Sequence, residues 1–104
     1  MPDLDVCPVE ELPPGEMKIV VSGLDSIGVY NIGGEYYALE DRCSHDDGPL
    51  CEGEWDPGTC TVVCPRHGSA FELSTGRPLS LPAFQPVETY PVRIVDGVVR
   101  VDVG

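Results

Sequence analysis

Basic side chains are scarce in this 104-residue chain: six Lys and Arg stand against eighteen Asp and Glu, for a formal charge of −12. No stretch of Lys and Arg offers a footprint for phosphates, which argues against nucleic acid as a partner. Histidine occurs only twice and tryptophan once. Long apolar runs are missing, so no segment is suited to crossing a bilayer as a helix, and no membrane partner is expected. The start of the chain, Met1-Pro2-Asp3-Leu4-Asp5, has neither the basic and apolar regions of a secretory leader nor a twin arginine, so the expected location is the cytoplasm. No apolar period of 3.6 residues is sustained, which excludes a long helix, and neither a repeat nor a linker divides the chain. No acid/base pair, nucleophile triad or substrate pocket can be read, so the chain alone is expected to catalyse nothing.

What is present is punctuation. Twelve Gly and eleven Pro without a repeating period predict short strands joined by tight turns, an all-β chain. At this length residues 1–104 form one domain, and a small domain often leans on a metal for stability. A short strand within residues 4–10 ends at Pro13-Pro14-Gly15, and Met17 to Val21 is β-rich. Ile27 to Ile32 and Glu35 to Leu39 predict a hairpin around Gly33-Gly34, a pair that tolerates positive φ. From Glu40 to Thr59 the apolar pattern vanishes, which predicts one long loop of the kind that usually carries function. Thr61 to Val63 and Ala70 to Leu73 are short strands, the second closed by Ser74-Thr75-Gly76. Val87 to Val95 and Val98 to Val103 flank Asp96-Gly97, a type I′ turn signal, with Pro91 marking an edge position.

Two ligand pairs stand out, Cys43-Ser44-His45 and Cys64-Pro65-Arg66-His67, with eighteen residues between them. They contain both histidines of the chain. Thiolate and neutral imidazole bind zinc, copper and iron–sulfur centres, and spacings this short let two side chains of one loop converge. Five cysteines is an odd number, and in a reducing compartment they read as ligands or free thiols rather than a disulfide framework. Cys7, Cys51 and Cys60 fall outside both pairs and are expected to be buried thiols acting as small hydrophobes. A redox role for Cys60 is a lesser alternative. Trp55 is expected to pack over its loop, with docking to a partner as the alternative.

The pattern Cys-x-His, about seventeen to twenty residues, then Cys-x-x-His resembles the ligand signature of Rieske iron–sulfur proteins, which place His ligands on one of two irons. Cys43, His45, Cys64 and His67 match that signature, and the likeness extends to Gly68, Phe71, Thr75-Gly76 and a proline loop at Leu81-Pro82-Ala83. The resemblance implies the Rieske fold of stacked antiparallel sheets with a two-loop tip. It also implies one [2Fe–2S] cluster per chain, with Cys43 and Cys64 on the inner iron and His45 and His67 on the outer one. Two neutral imidazoles reduce the negative charge of the centre and raise its potential. Gly48, Pro49, Pro65 and Gly68 suit tight turns that bring backbone N–H groups to the ions.

Departures from the pattern select a branch. The cytochrome-complex members carry a disulfide between two further cysteines, where this chain has Gly48 and Arg66. Those members also place a tyrosine near the thiolate, where Phe71 stands here, while Ser69 keeps their serine. The expected potential is therefore in the lower half of the roughly −150 to +300 mV Rieske range. The likeness is closest to the soluble ferredoxins of bacterial aromatic-ring dioxygenases. This implies a monomeric one-electron carrier between a flavoprotein reductase and a terminal oxygenase. Alternatives are a small Rieske subunit of a larger oxidoreductase such as nitrite reductase, a ferredoxin serving cluster assembly, and a structural zinc module.

The acidity is regional. Residues 1–60 hold fourteen acids and two bases, whereas residues 61–104 hold four of each. Glu40, Asp41, Asp46, Asp47, Glu52, Glu54 and Asp56 crowd around the first ligand pair, where they are expected to steer basic partner surfaces. Solubility alone is the alternative.

Overall fold

The computed structural model describes residues 3–22, 25–42, 50, 51, 53–65, 68–80 and 85–102. Among them are ten strands in three sheets, every pairing antiparallel. The strands are β1 (Asp3–Pro8), β2 (Met17–Ser22), β3 (Asp25–Ile32), β4 (Glu35–Glu40), β5 (Trp55–Asp56), β6 (Thr61–Val63), β7 (Ala70–Glu72), β8 (Thr89–Tyr90), β9 (Val92–Val95) and β10 (Val98–Asp102). One sheet runs β1-β10-β9, the next β2-β3-β4-β8, and the third β5-β6-β7. The only helical element among the described residues is a short 3-10 turn at Val9–Glu11.

Two turns form as their chemistry dictates. Gly33 and Gly34 have φ of +62° and +97° and bring Ile32 opposite Glu35. Asp96 and Gly97, at +53° and +75°, bring Val95 opposite Val98. Both pairs are left-handed throughout, the twist that joins antiparallel strands through two residues.

The four-stranded sheet lies between the other two, and the period-two alternation of its strands supplies a core on each face. On one face Ile27, Val29 and Ala38 pack with Cys7, Leu12, Val99 and Val101. On the other Tyr30 and Leu39 pack with Leu50, Cys51, Val62, Cys64, Phe71, Leu73 and Val87. Asn31, almost fully buried, stitches the first side: its Nδ2 donates to the Leu12 carbonyl at 2.8 Å and its Oδ1 accepts from Gly34 N–H at 2.9 Å. Such pairing is what a buried amide requires.

Two expectations need correction. The stretch from Glu40 to Thr59 is not one uninterrupted loop, because Trp55 and Asp56 form β5 and pair with Val62 and Thr61 of β6. Val87 to Val95 is not one run either: β8 joins β4, and after Pro91 the chain crosses to pair with β10. Proline lacks the N–H that would carry the ladder through that point. Gly48, Pro49, Arg66 and the Leu81-Pro82-Ala83 loop lie outside the described residues.

Candidate metal centre

The second ligand pair starts where β6 ends. Thr61, Val62 and Val63 are β-branched and alternate, with Val62 inward against Phe71, its register partner on β7. Cys64 follows as a free thiol, 1% exposed. Its N–H donates to the Ser69 carbonyl at 2.8 Å, and its own carbonyl accepts from Gly68 N–H at 2.9 Å. Gly68, with φ of +73°, allows the chain to turn back here. These bonds between Cys64 and residues 68 and 69 form the neck of the second loop.

The first pair follows β4. Asp41 N–H donates to the Ser26 carbonyl at 2.8 Å, and Asp41 Oδ1 accepts from Cys51 N–H at 2.6 Å. Leu50 and Cys51 are buried in the same core as Cys64. Gly53 N–H then donates to the Leu50 carbonyl at 3.1 Å. A Cβ on Gly53 would run into the Val63 carbonyl oxygen and lie 3.0 Å from Pro65 Cδ. The return of the first loop is therefore packed against the start of the second, and only glycine permits so close an approach.

Of the four expected ligands, Cys64 is described, while Cys43, His45 and His67 lie outside the described residues, as do Asp46, Asp47 and Glu52. Among the described residues no three His, Cys, Asp or Glu side chains converge as a metal site. The donor chemistry nevertheless suits a [2Fe–2S] cluster of mixed ligation. The described thiol is unpaired, shares a buried cluster with Leu50, Val62, Phe71 and Leu73, and stands three residues before His67 in the sequence. Phe71 offers no hydroxyl from this wall.

The cysteines outside the signature differ from one another. Cys7 is buried on the far core, and burial raises its pKa. Burial likewise pushes the Cys51 thiol up to about 12. Cys60 is only half-buried and holds a left-handed backbone, φ +57°, which corrects the expectation of a buried thiol. Its pKa is also raised, first by desolvation and then by Glu72 and Glu35, against hydrogen bonding from the Ser74 and Leu73 backbone. Trp55 packs over its loop as expected, edge-on to Tyr30.

Sequence reasoning missed the structural duties of several acids. Asp41 binds Cys51 N–H, Asp56 Oδ1 accepts from Gly58 N–H at 2.8 Å, and Glu40 Oε1 accepts from Glu88 N–H at 3.0 Å. Only the Asp56 contact had a local signal, the Asp-x-Gly turn. Glu54 and Asp56, both exposed, line a groove of about 400 Å³ with Trp55, Pro57, Thr61 and Val63 on the outer face of β5 and β6.

Residues 3–91 match the family model of the Rieske [2Fe-2S] domain. The 3-phenylpropionate/cinnamic acid dioxygenase ferredoxin subunit of Escherichia coli (strain K12) is 43% identical over 97 residues, 92% of this chain and 89% of that protein. The ferredoxin of carbazole 1,9a-dioxygenase from Nocardioides aromaticivorans IC177 superposes with a TM-score of 0.88 at 28% identity, covering 95% of each chain. A chain in a complex of reduced oxygenase and oxidized ferredoxin in carbazole 1,9a-dioxygenase has a TM-score of 0.87 at 36% identity, covering 95% of this chain and 91% of that one.

Proposed function

This chain belongs to the Rieske [2Fe-2S] domain family, and from that premise we propose that it is the ferredoxin of an aromatic-ring dioxygenase system. It takes one electron from a flavoprotein reductase and passes it to a terminal ring-hydroxylating oxygenase. The protein is an electron-transfer component without catalysis of its own. Residues 1–104 act as one domain, a cytoplasmic monomer. No helix among the described residues is long and apolar enough to cross a membrane.

The ligand assignment is Cys43 and Cys64 on one iron and His45 and His67 on the other. The observation that carries it is the contact of Gly53 with Val63 and Pro65, with Leu50, Cys51 and Cys64 sharing one core. It joins the stems of the two loops that bear the four residues. When bound, the cluster supplies a one-electron couple, with two neutral imidazoles favouring the reduced form. The protein's part is to hold the donors and exclude water. Cys64 is 1% exposed and shares an apolar core with Leu50, Val62, Phe71 and Leu73, which screens its sulfur from water. Phe71 contributes no hydrogen bond to the centre, in keeping with a potential in the lower half of the Rieske range.

Anaerobic purification, iron and sulfide analysis and EPR of the reduced protein test this reading. Two irons and two sulfides per chain, with mixed His/Cys ligation, are expected from this cluster type. A single zinc without sulfide refutes it. Replacing His45 or His67 with Ala, or Cys64 with Ser, removes the visible absorbance, whereas Cys7→Ser keeps it. Electron transfer from reduced protein to a purified ring-hydroxylating oxygenase tests the proposed role itself.

A further inference from the structure

We propose that Asp41 and Cys51 form a latch that fixes the geometry of the first cluster loop, Asp41 by its carboxylate and Cys51 by a sulfur seated over Gly28. The proposal rests on the ligand assignment above, and both are positioning residues rather than ligands.

Cys43 and His45 lie in the sequence between Asp41, which follows β4, and Leu50 and Cys51, which are buried in the core. Two contacts join the described residues on either side of them. The Asp41 backbone is fixed to β3 through the Ser26 carbonyl, and its carboxylate takes Cys51 N–H at 2.6 Å. The Cys51 side chain then occupies a slot that exists because residue 28 has no Cβ. An added methyl there would collide with Cys51 Sγ and lie 3.0 Å from Cys51 Cβ and 3.1 Å from Tyr30 Cε1. Gly28 is not at positive φ, so its role is space.

The same part of the fold carries a buried polar group that the electron-carrier reading does not use. Tyr30 is fully buried, and among the described residues its hydroxyl meets no partner with hydrogen-bond geometry. It nevertheless lies close enough to Cys51 for each to influence the ionisation of the other. Metal ligands depend on such supporting contacts, because slack in the support becomes slack in the ligand geometry.

The test uses the holoprotein, with cluster loss under a chelator and the g-values of the reduced state as readouts. Asp41→Ala is expected to release iron measurably faster than the unsubstituted protein, with shifted or broadened g-values. Asp41→Asn keeps the acceptor oxygen and stays near the wild-type rate and spectrum. Gly28→Ala reproduces the Asp41→Ala defect, and adding Cys51→Ala to it restores much of the lifetime; this pair decides the matter should Asp41→Ala fail to accumulate. Wild-type g-values and lifetime in Asp41→Ala overturn the latch, as do equal losses in Asp41→Ala and Asp41→Asn. Absence of sulfide from the unsubstituted protein overturns the ligand assignment, and the latch with it, before any variant is made.

Discussion

The ring of Trp55 meets that of Tyr30 edge-on, with centroids 4.9 Å apart and planes at 73°. The contact ties the two-residue strand β5 to the central sheet, and this geometry adds about 0.5–1.5 kcal/mol to what buried area alone provides. Trp55→Ala should therefore lower stability by about 2 kcal/mol, less than the roughly 3–5 kcal/mol of a fully buried aromatic. Trp55→Phe should recover most of the loss. Denaturant midpoints of the holoprotein check this, and an unchanged midpoint in Trp55→Ala would mean that the tryptophan faces a partner instead.

Gly53 offers a test of how the loops are joined. Gly53→Ala drives a methyl into the Val63 carbonyl oxygen, a backbone atom that cannot swing away. The expected penalty is about 3 kcal/mol, the upper end for overpacking, together with a lower yield of iron per chain. Gly58→Ala is the control, since its added Cβ would meet only the Asp56 carboxylate, at 3.1 Å. Iron content and thermal midpoint should barely change there.

Ionic strength should slow electron transfer between this protein and its partners. The exposed Glu54 lies beside the neck of the second loop, on a chain of formal charge −12. Raising salt from about 0.01 M to about 0.15 M shortens the Debye length from about 30 Å to about 8 Å, so the second-order rate constant should fall. Glu54→Gln should flatten that dependence while leaving the absorbance of the cluster unchanged. A rate indifferent to salt would remove steering as an explanation of the acidic loop.

Alkaline pH should destabilise the fold through Cys51. Burial raises the thiol from 9.0 to about 12 in the native protein. Below pH 9 both folded and unfolded thiols are protonated, and the residue adds no slope. Between about 9 and about 12 the unfolded thiol ionises while the native one keeps its proton, so stability falls as pH rises. Replacing Cys51 with Ala should flatten the profile in that window, and urea midpoints at increasing pH would reveal it. An unaltered slope would assign the alkaline loss to other groups.

Most of the hairpins could be read directly, because their signals are local: Gly33-Gly34 and Asp96-Gly97 demand positive φ whatever surrounds them. The spacing of the two Cys/His pairs is also written within a few residues, and of those four side chains Cys64 is the one the structure describes. β5 was not legible, being two residues long and made by pairing with β6 across the Pro57-Gly58-Thr59-Cys60 turn. The division of Val87 to Val95 depended on which sheet each half joined, and Pro91 marked the place without giving the outcome. The Asp41–Cys51 contact left no trace at all, as it joins residues ten apart through a carboxylate that composition reads as surface charge.

The central sheet keeps its two cores separate, and the one built from Cys7, Leu12, Ile27, Val29, Ala38, Val99 and Val101 contains no proposed ligand. Its burial therefore does not wait for iron. The expectation is that this half keeps its packing in the cluster-free protein, so that maturation would finish a scaffold instead of starting one.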